Sequence, residues 1–175
     1  MFPYLLRNKS IAANQVWALD TSYIPMSKGF VYLTAVIYWA TRKLLAHKIA
    51  ITLQASHAVE VLNEAFAKFN KPEIINTDQG SQFTAREFVD TVLGNGCKLS
   101  MDGIGAWRDN VMIERLWRTV KYEHVYLRAY DTVQQAKSDI RHYLEWYNSE
   151  RVHSSLGKQT PDEAYAKWYF LDLVA

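Results

Sequence analysis

Hydrophobic spacing switches between two periods along the chain, and the switches mark its elements. Residues 15–25, QVWALDTSYIP, carry bulky β-forming side chains on both faces and stop at Pro25, which predicts a strand with Asp20 near its middle. Ser27-Lys28-Gly29 turns the chain into FVYLTAVIYWA, apolar on both faces and so read as a central strand. LLAHKIAI (44–51) predicts a third strand and completes an antiparallel meander. The period then becomes helical: in SHAVEVLNEAFAKFN, residues Ala58, Val61, Leu62, Ala65, Phe66 and Phe69 share one stripe. EIINTD (73–78) is a short apolar strand following a helix, which predicts parallel pairing.

Thr84 and Glu87 have capping-box spacing ahead of FVDTVL, and Gly94-Asn95-Gly96 stops that helix. CKLSM is a fifth short strand, and DGIGAWR (102–108), with two glycines, predicts a mobile loop. Asp109 is placed to cap a helix running to about His124. A longer helix follows Thr132, with Val133, Ala136, Ile140, Tyr143, Leu144 and Tyr147 on one stripe. After the loop SERVHSSLGKQ, Thr160-Pro161-Asp162-Glu163 opens a last helix with a cap pattern and Pro at its first position. The order β-β-β-α-β-α-β-α-α-α implies an α/β fold, a mixed five-stranded sheet flanked by helices.

Composition narrows the class. With 175 residues, 49% hydrophobic and 14% aromatic, the chain fits one globular domain with a sizeable core. No apolar run approaches the ~20 residues of a membrane span, and MFPYLLRNKS is a poor signal peptide because its charges follow its apolar residues. Cys97 is the single cysteine, which excludes an internal disulfide and a cysteine-based zinc site and makes a reducing cytoplasm the expected compartment. A net charge of +2, with neither half forming a basic arm, does not by itself argue for nucleic acid. His47, His57, His124 and His142 lack paired metal-ligand spacing.

Three acids stand out. Asp78 ends a strand before Gly80, an ordinary turn arrangement when taken alone. Asp20 lies within an apolar strand, where an unpaired ion costs several kcal/mol, so it must reach water at the sheet edge or meet a cation. Glu114 shares a helix face with Asn110, Arg118 and Lys121, beside a buried stripe of Ile113, Leu116 and Val120. Four residues before Arg118, it reads equally as half of an exposed pair. If the three converge, their oxygens suit Mg²⁺, and two such ions serve phosphoryl transfer.

The stretches LDTSYIP, NTDQGSQF and WRDNVMIERLWRTVKYE, with the tail YNSERVHSSLGKQTPDEAY, resemble the catalytic core of retroviral-integrase-like transposases of bacterial insertion sequences. The likeness is to the group whose second reading frame carries the catalytic domain. It runs from PYLLR at residue 3 to TPDEAY ending at residue 165, and 35 residues separate Asp78 from Glu114, the spacing this group uses. The resemblance implies a ribonuclease-H-like fold in which Asp20, Asp78 and Glu114 bind two Mg²⁺ or Mn²⁺ ions. It implies cleavage of DNA at element ends and joining of the freed 3′-hydroxyl to a new phosphodiester, with Gly80 leaving room for substrate backbone. Arg118 and Lys121 stand where the family carries DNA-facing cations, and Asn110 and Gln82 are placed to hydrogen-bond near the site. His153 and Arg151 match a family motif and are expected to order the C-terminal loop or contact DNA. Implied partners are DNA, further copies of the chain, full-length transposase or the first-reading-frame product, in a bacterial cytoplasm and without a membrane. Within the chain, residues 13–127 would form the core and 128–175 a helical extension. Tyr38, beside Arg42, and Ile104 depart from the family's usual Asp and Lys. A water-using ribonuclease-H-like nuclease and a non-catalytic fragment that binds DNA or full-length transposase stand as alternative functions.

Overall fold

In the computed structural model, which describes residues 2–7, 15–102 and 110–174, five strands form one sheet. They are β1 (Val16–Pro25), β2 (Phe30–Tyr38), β3 (Leu44–Ala50), β4 (Ile74–Thr77) and β5 (Lys98–Met101), in the spatial order β3-β2-β1-β4-β5. The first three pair antiparallel, while β4 joins β1, and β5 joins β4, in parallel. Helix α1 (Ala55–Lys68) carries the chain from β3 to β4, and α2 (Ser81–Thr84) with α3 (Arg86–Gly94) carries it on to β5. Helices α4 (Val111–Glu123), α5 (Val133–Ser149) and α6 (Pro161–Val174) follow. The meander with two added parallel strands is the arrangement expected from the sequence.

β1 is apolar on both faces because it serves two cores. Alternation sends successive side chains to opposite sides. Val16 and Ala18 join Leu33, Ala35, Ile74 and the inner sides of α4 and α5. Trp17 and Leu19 join Val36, Ile75, α1 and α3. The same parity assigns Asp20 and Asn76 to the α4 side of the sheet.

Local capping agrees with the sequence at one helix and departs from it at another. At α6, Thr160 Oγ1 accepts from Glu163 N–H (3.2 Å) and Glu163 Oε2 accepts from Thr160 N–H (2.8 Å), as the motif predicts. The same reciprocal pair, Thr132 with Gln135, opens α5. The Thr84–Glu87 box does not form. Thr84 instead closes the one-turn α2, its hydroxyl donating to Gly80 O and Ser81 O, and Ala85 takes the cap position of α3 without a side-chain bond. Asp109 and most of DGIGAWR lie outside the described residues.

The last turn of α5 is tied to the sheet. Asn148 accepts from Leu44 N–H (2.9 Å) and donates to Leu44 O (2.8 Å), so one side-chain amide engages both backbone groups at the start of β3.

Candidate active site

The parallel register of β1 and β4 runs toward two acids, and the charge of Asp78 acts on Asp20. Val16 stands opposite Ile74 and Ala18 opposite Asn76. Carrying that register two residues further sets Asp78 beside Asp20, one strand spacing or about 4.8 Å across. β4 ends at Thr77, so Asp78 leaves the sheet level with Asp20. Its Oδ1 accepts from Gly80 N–H (2.9 Å), which fixes the carboxylate in the turn. Gly80 has an ordinary φ of −57°. A Cβ there would stand 2.7 Å from the Gln82 side-chain amide and 2.9 Å from Asp78 Oδ1. The glycine therefore makes room for this chain's own side chains.

Asp20 is only 8% exposed, and among the described residues no cation forms an ion pair with it. Neutral donors meet it instead: Trp117 Nε1–H donates to Oδ2 at 2.8 Å, and Thr21 N–H donates to Oδ1 at 2.7 Å. Burial pushes its pKa up to about 7; the Trp117 and Thr21 hydrogen bonds oppose this, and the negative charges of Asp78 and Glu114 add to it. All three acids thus share one electrostatic neighbourhood. Glu114 is exposed, one turn before Trp117 on α4, a helix seated by buried Ile113, Leu116, Trp117 and Val120. The i,i+4 ion pairs among the described residues are Lys68–Glu64 and Arg86–Asp90. Glu114 and Arg118 form none, which removes the simple surface-pair reading of that spacing.

Beneath the acids lies a polar floor that sequence reasoning missed. Asn76, fully buried, donates through Nδ2 to Asp102 Oδ1 (2.9 Å) and accepts from Ser100 Oγ (2.8 Å). Its Nδ2 also lies 3.5 Å from Asn110 Oδ1, and Gln79 Nε2 donates to Asp102 O (2.7 Å). Asn110 is therefore drawn inward, 3% exposed, and does not share the open face of Glu114. The available signal was an Asn in an otherwise apolar strand, two residues before the acid. Trp117 gave no signal beyond its place on the buried side of its helix.

The other candidates divide. Arg118 is exposed and Lys121 half-buried on α4. Gln82 is buried, 7% exposed, against Gly80. Arg151 makes a forked pair with Glu123, Nε to Oε2 at 2.7 Å and Nη2 to Oε1 at 2.5 Å, and its Nη1–H points to His153 Nδ1 at 3.2 Å. His153 is buried against Tyr147 and bridges Gln159, which orders the loop as expected. Tyr38 packs edge-on against Tyr165, and Arg42 bonds Tyr38 through its backbone N–H. Ile104 lies outside the described residues. Among the described residues no three His, Cys, Asp or Glu side chains are drawn close enough to hold a metal ion, and no helix is long and apolar enough to cross a membrane.

Comparison with known proteins gives concordant matches. Two family models described as Integrase core domain match residues 11–106 and 95–161. The transposase for insertion sequence element IS904 of Lactococcus lactis is 32% identical over 158 residues, 89% of this chain and 62% of that protein. The putative transposase InsK for IS150 of Escherichia coli is 27% identical over 157 residues, 89% of this chain and 56% of that protein. The chain thus spans about three-fifths of the length of these relatives. Among solved structures, a chain of the simian T-cell lymphotropic virus intasome in complex with PP2A regulatory subunit B56 gamma superposes with a TM-score of 0.77. It is 16% identical, over 94% of this chain and 59% of that one. The HTLV-2 integrase catalytic core domain in complex with magnesium, in its dimeric form, gives a TM-score of 0.69 at 18% identity, over 90% of this chain and 99% of that one. These likenesses carry the fold, that of integrase catalytic cores.

Proposed function

Because the chain belongs to the integrase core domain family, in the form found in insertion-sequence transposases, we propose that it cleaves DNA at element ends and joins the freed 3′-hydroxyl to target DNA. Asp20, Asp78 and Glu114 would hold Mg²⁺ or Mn²⁺ for this chemistry. What supports the reading is the β1–β4 register, whose continuation past Ala18 and Asn76 leads to Asp20 and Asp78, with α4 fastened to Asp20 through Trp117.

The donor set fits such an ion. A carboxylate has about four lone-pair directions, and the two hydrogen bonds to Asp20 leave others open. Three acids without a described cationic partner form an all-oxygen set of the kind hard divalent cations choose. Held by these residues, such ions would supply activation of the attacking oxygen and stabilisation of the leaving one. Asp20 is fixed by Trp117 and Thr21, and Asp78 by Gly80. Glu114, exposed on its helix, is the ligand free to swing inward. Arg118 and Lys121, one and two turns beyond it, would neutralise DNA phosphates. Self-association accompanies this reading, since both ends of an element must be handled together.

Metal-dependent cleavage of element-end DNA, and joining of a pre-cleaved 3′-hydroxyl end, test it. Asp20→Asn, Asp78→Asn and Glu114→Gln should each lower both by at least ~10³-fold, the size of single-group effects on developing charge. Near-parent turnover in any one removes that residue from the site, and cleavage without joining assigns the protein to hydrolysis.

A further inference from the structure

Where α4, the β2–β3 turn and the α5–α6 loop meet, a cavity of about 540 Å³ opens, walled by Arg42, Arg115, Arg118, Arg151, His153 and Lys158. Five of these are cations at neutral pH. Glu123 pairs with Arg151. Among the described residues no carboxylate forms an ion pair with Arg42, Arg115, Arg118 or Lys158. His153 adds no charge: burial first, then Arg151 and Arg42, push its pKa down to about 4. Arg42 itself is held below the usual guanidinium range by burial and by Arg115 and Arg151.

A second observation falls on the same residues. Among the described residues the non-glycine positions with positive φ are Arg42 (61°) and Lys158 (63°). The left-handed region crowds a Cβ and is normally left to Gly, Asn or Asp. Both turns are pinned by backbone bonds, Arg42 N–H to Tyr38 O and Lys158 N–H to His153 O. Each sends a cation to the one cavity. Backbone strain and like-charge repulsion therefore coincide there, the combination expected of a site that takes an anion.

The position of the cavity selects the anion. At 100° per residue, Arg118 lies about 40° round α4 from Glu114 and Arg115 about 100° round, so a strip of helix surface runs from the acid to the cavity wall. Along the axis the two are within about 6 Å, four residues of rise. A nucleic-acid strand carries a phosphate every ~3.4 Å of duplex axis, so one strand spans both places, whereas a lone phosphate does not. Arginine forks match phosphate oxygens.

Resting on DNA as the substrate, we infer that this cavity is a subsite for the DNA backbone, in which Arg42 and Lys158 are presented by strained turns beside Arg115. The test is binding of a short duplex in EDTA across a salt series, with Arg42→Gly, Lys158→Gly and the double variant. Arg86→Ala, an exposed cation paired to Asp90, is the control. Each glycine should lower the slope of log affinity against log salt by about 0.9, and the double by about twice that, with Arg86→Ala unchanged. Glycine also relieves the strain, so melting midpoints should be equal or higher, an outcome that loss of folding cannot mimic. A parent that binds DNA and a double variant of equal slope overturn the subsite but leave DNA as substrate. No binding by the parent overturns both. A fall in slope for Arg86→Ala as large as for Arg42→Gly reduces the effect to general charge and overturns the subsite. If inorganic phosphate raises the parent's midpoint as far as DNA does, and the double variant loses that rise, the site takes free phosphate and the strand assignment falls.

Discussion

The acid site and the basic cavity lie on adjoining faces of α4 and bear uncompensated like charge in opposite ways. The acids have an outlet. Asp20 is buried within reach of the charges of Asp78 and Glu114, and its raised pKa lets it take a proton near neutrality. The cavity's guanidinium groups have none, because they stay protonated at any ordinary pH. Their load falls on Glu123, which holds Arg151, and on two turns with left-handed residues. Proton uptake is thus available to one region and backbone strain to the other. The acids respond through Asp20, and the cavity only through His153, whose pKa is pushed down to about 4.

The largest effect that sharpens this contrast is at Asp20. Its folded pKa, about 7, lies above the ~3.9 of an unfolded Asp. Between those values the folded state holds a proton that the unfolded state lacks, so this carboxyl makes stability fall as pH rises from about 4 to about 7 and leaves it lowest above 7. Asp20→Asn cannot ionise. Thermal melts in EDTA should show its stability relative to the parent rising from pH 4 to pH 8, by as much as roughly 4 kcal/mol, whatever offset the Asn amide introduces against the Trp117 and Thr21 donors. Cavity variants should follow the parent's profile. Millimolar Mn²⁺ should raise the parent's midpoint at pH 8, a stabilisation of ~2.7 kcal/mol at a hundredfold excess over Kd, and not that of Asp20→Asn. Equal, metal-insensitive midpoints for both proteins would break the converged site.

A smaller effect separates the regions by geometry. The Cβ of Gly80→Ala would press on Asp78 Oδ1 and on the Gln82 amide. Cleavage should drop about 10- to 100-fold through displacement of one ligand, while the salt slope for DNA binding holds. Parent-like turnover would show that the turn does not set Asp78. The smallest expected effect is on the cavity side. Thr160→Ala removes half of the α6 capping box and should cost about 1 kcal/mol in a denaturant titration. The Mn²⁺-dependent rise should survive it, and its loss would couple regions that we treat as separate.

Much of this was legible because it is written in spacing. The meander and its two parallel additions followed from apolar runs and the helix between them. The α5 stripe followed from period, and the buried set Ala136, Ile140, Tyr143, Leu144 and Tyr147 matches it. Motif resemblance pointed to the three acids. What stayed hidden was contact between distant residues. Nothing local says that Trp117, 97 positions on, donates to Asp20, or that Asn76 draws Asn110 inward. Thr84 shows a related limit. Its spacing to Glu87 is that of a cap, but the turn at Gly80 claims its hydroxyl first. Arg42 and Lys158 were ordinary loop cations until their backbone angles placed them together.

The clasp between Asn148 and Leu44 has a consequence during biosynthesis. β3 is an edge of the sheet, and an open edge is a template on which another chain's strand can pair. The side chain that engages the first residue of that edge leaves the ribosome 104 residues later. At ~5–20 residues per second the nascent chain spends on the order of 5–20 s with β3 made and its fastener not yet synthesised. The hazard is therefore one of timing. Neighbouring ribosomes on one message would hold such unfastened edges close together, and slowing elongation between β3 and α5 should increase the insoluble fraction without altering the finished fold.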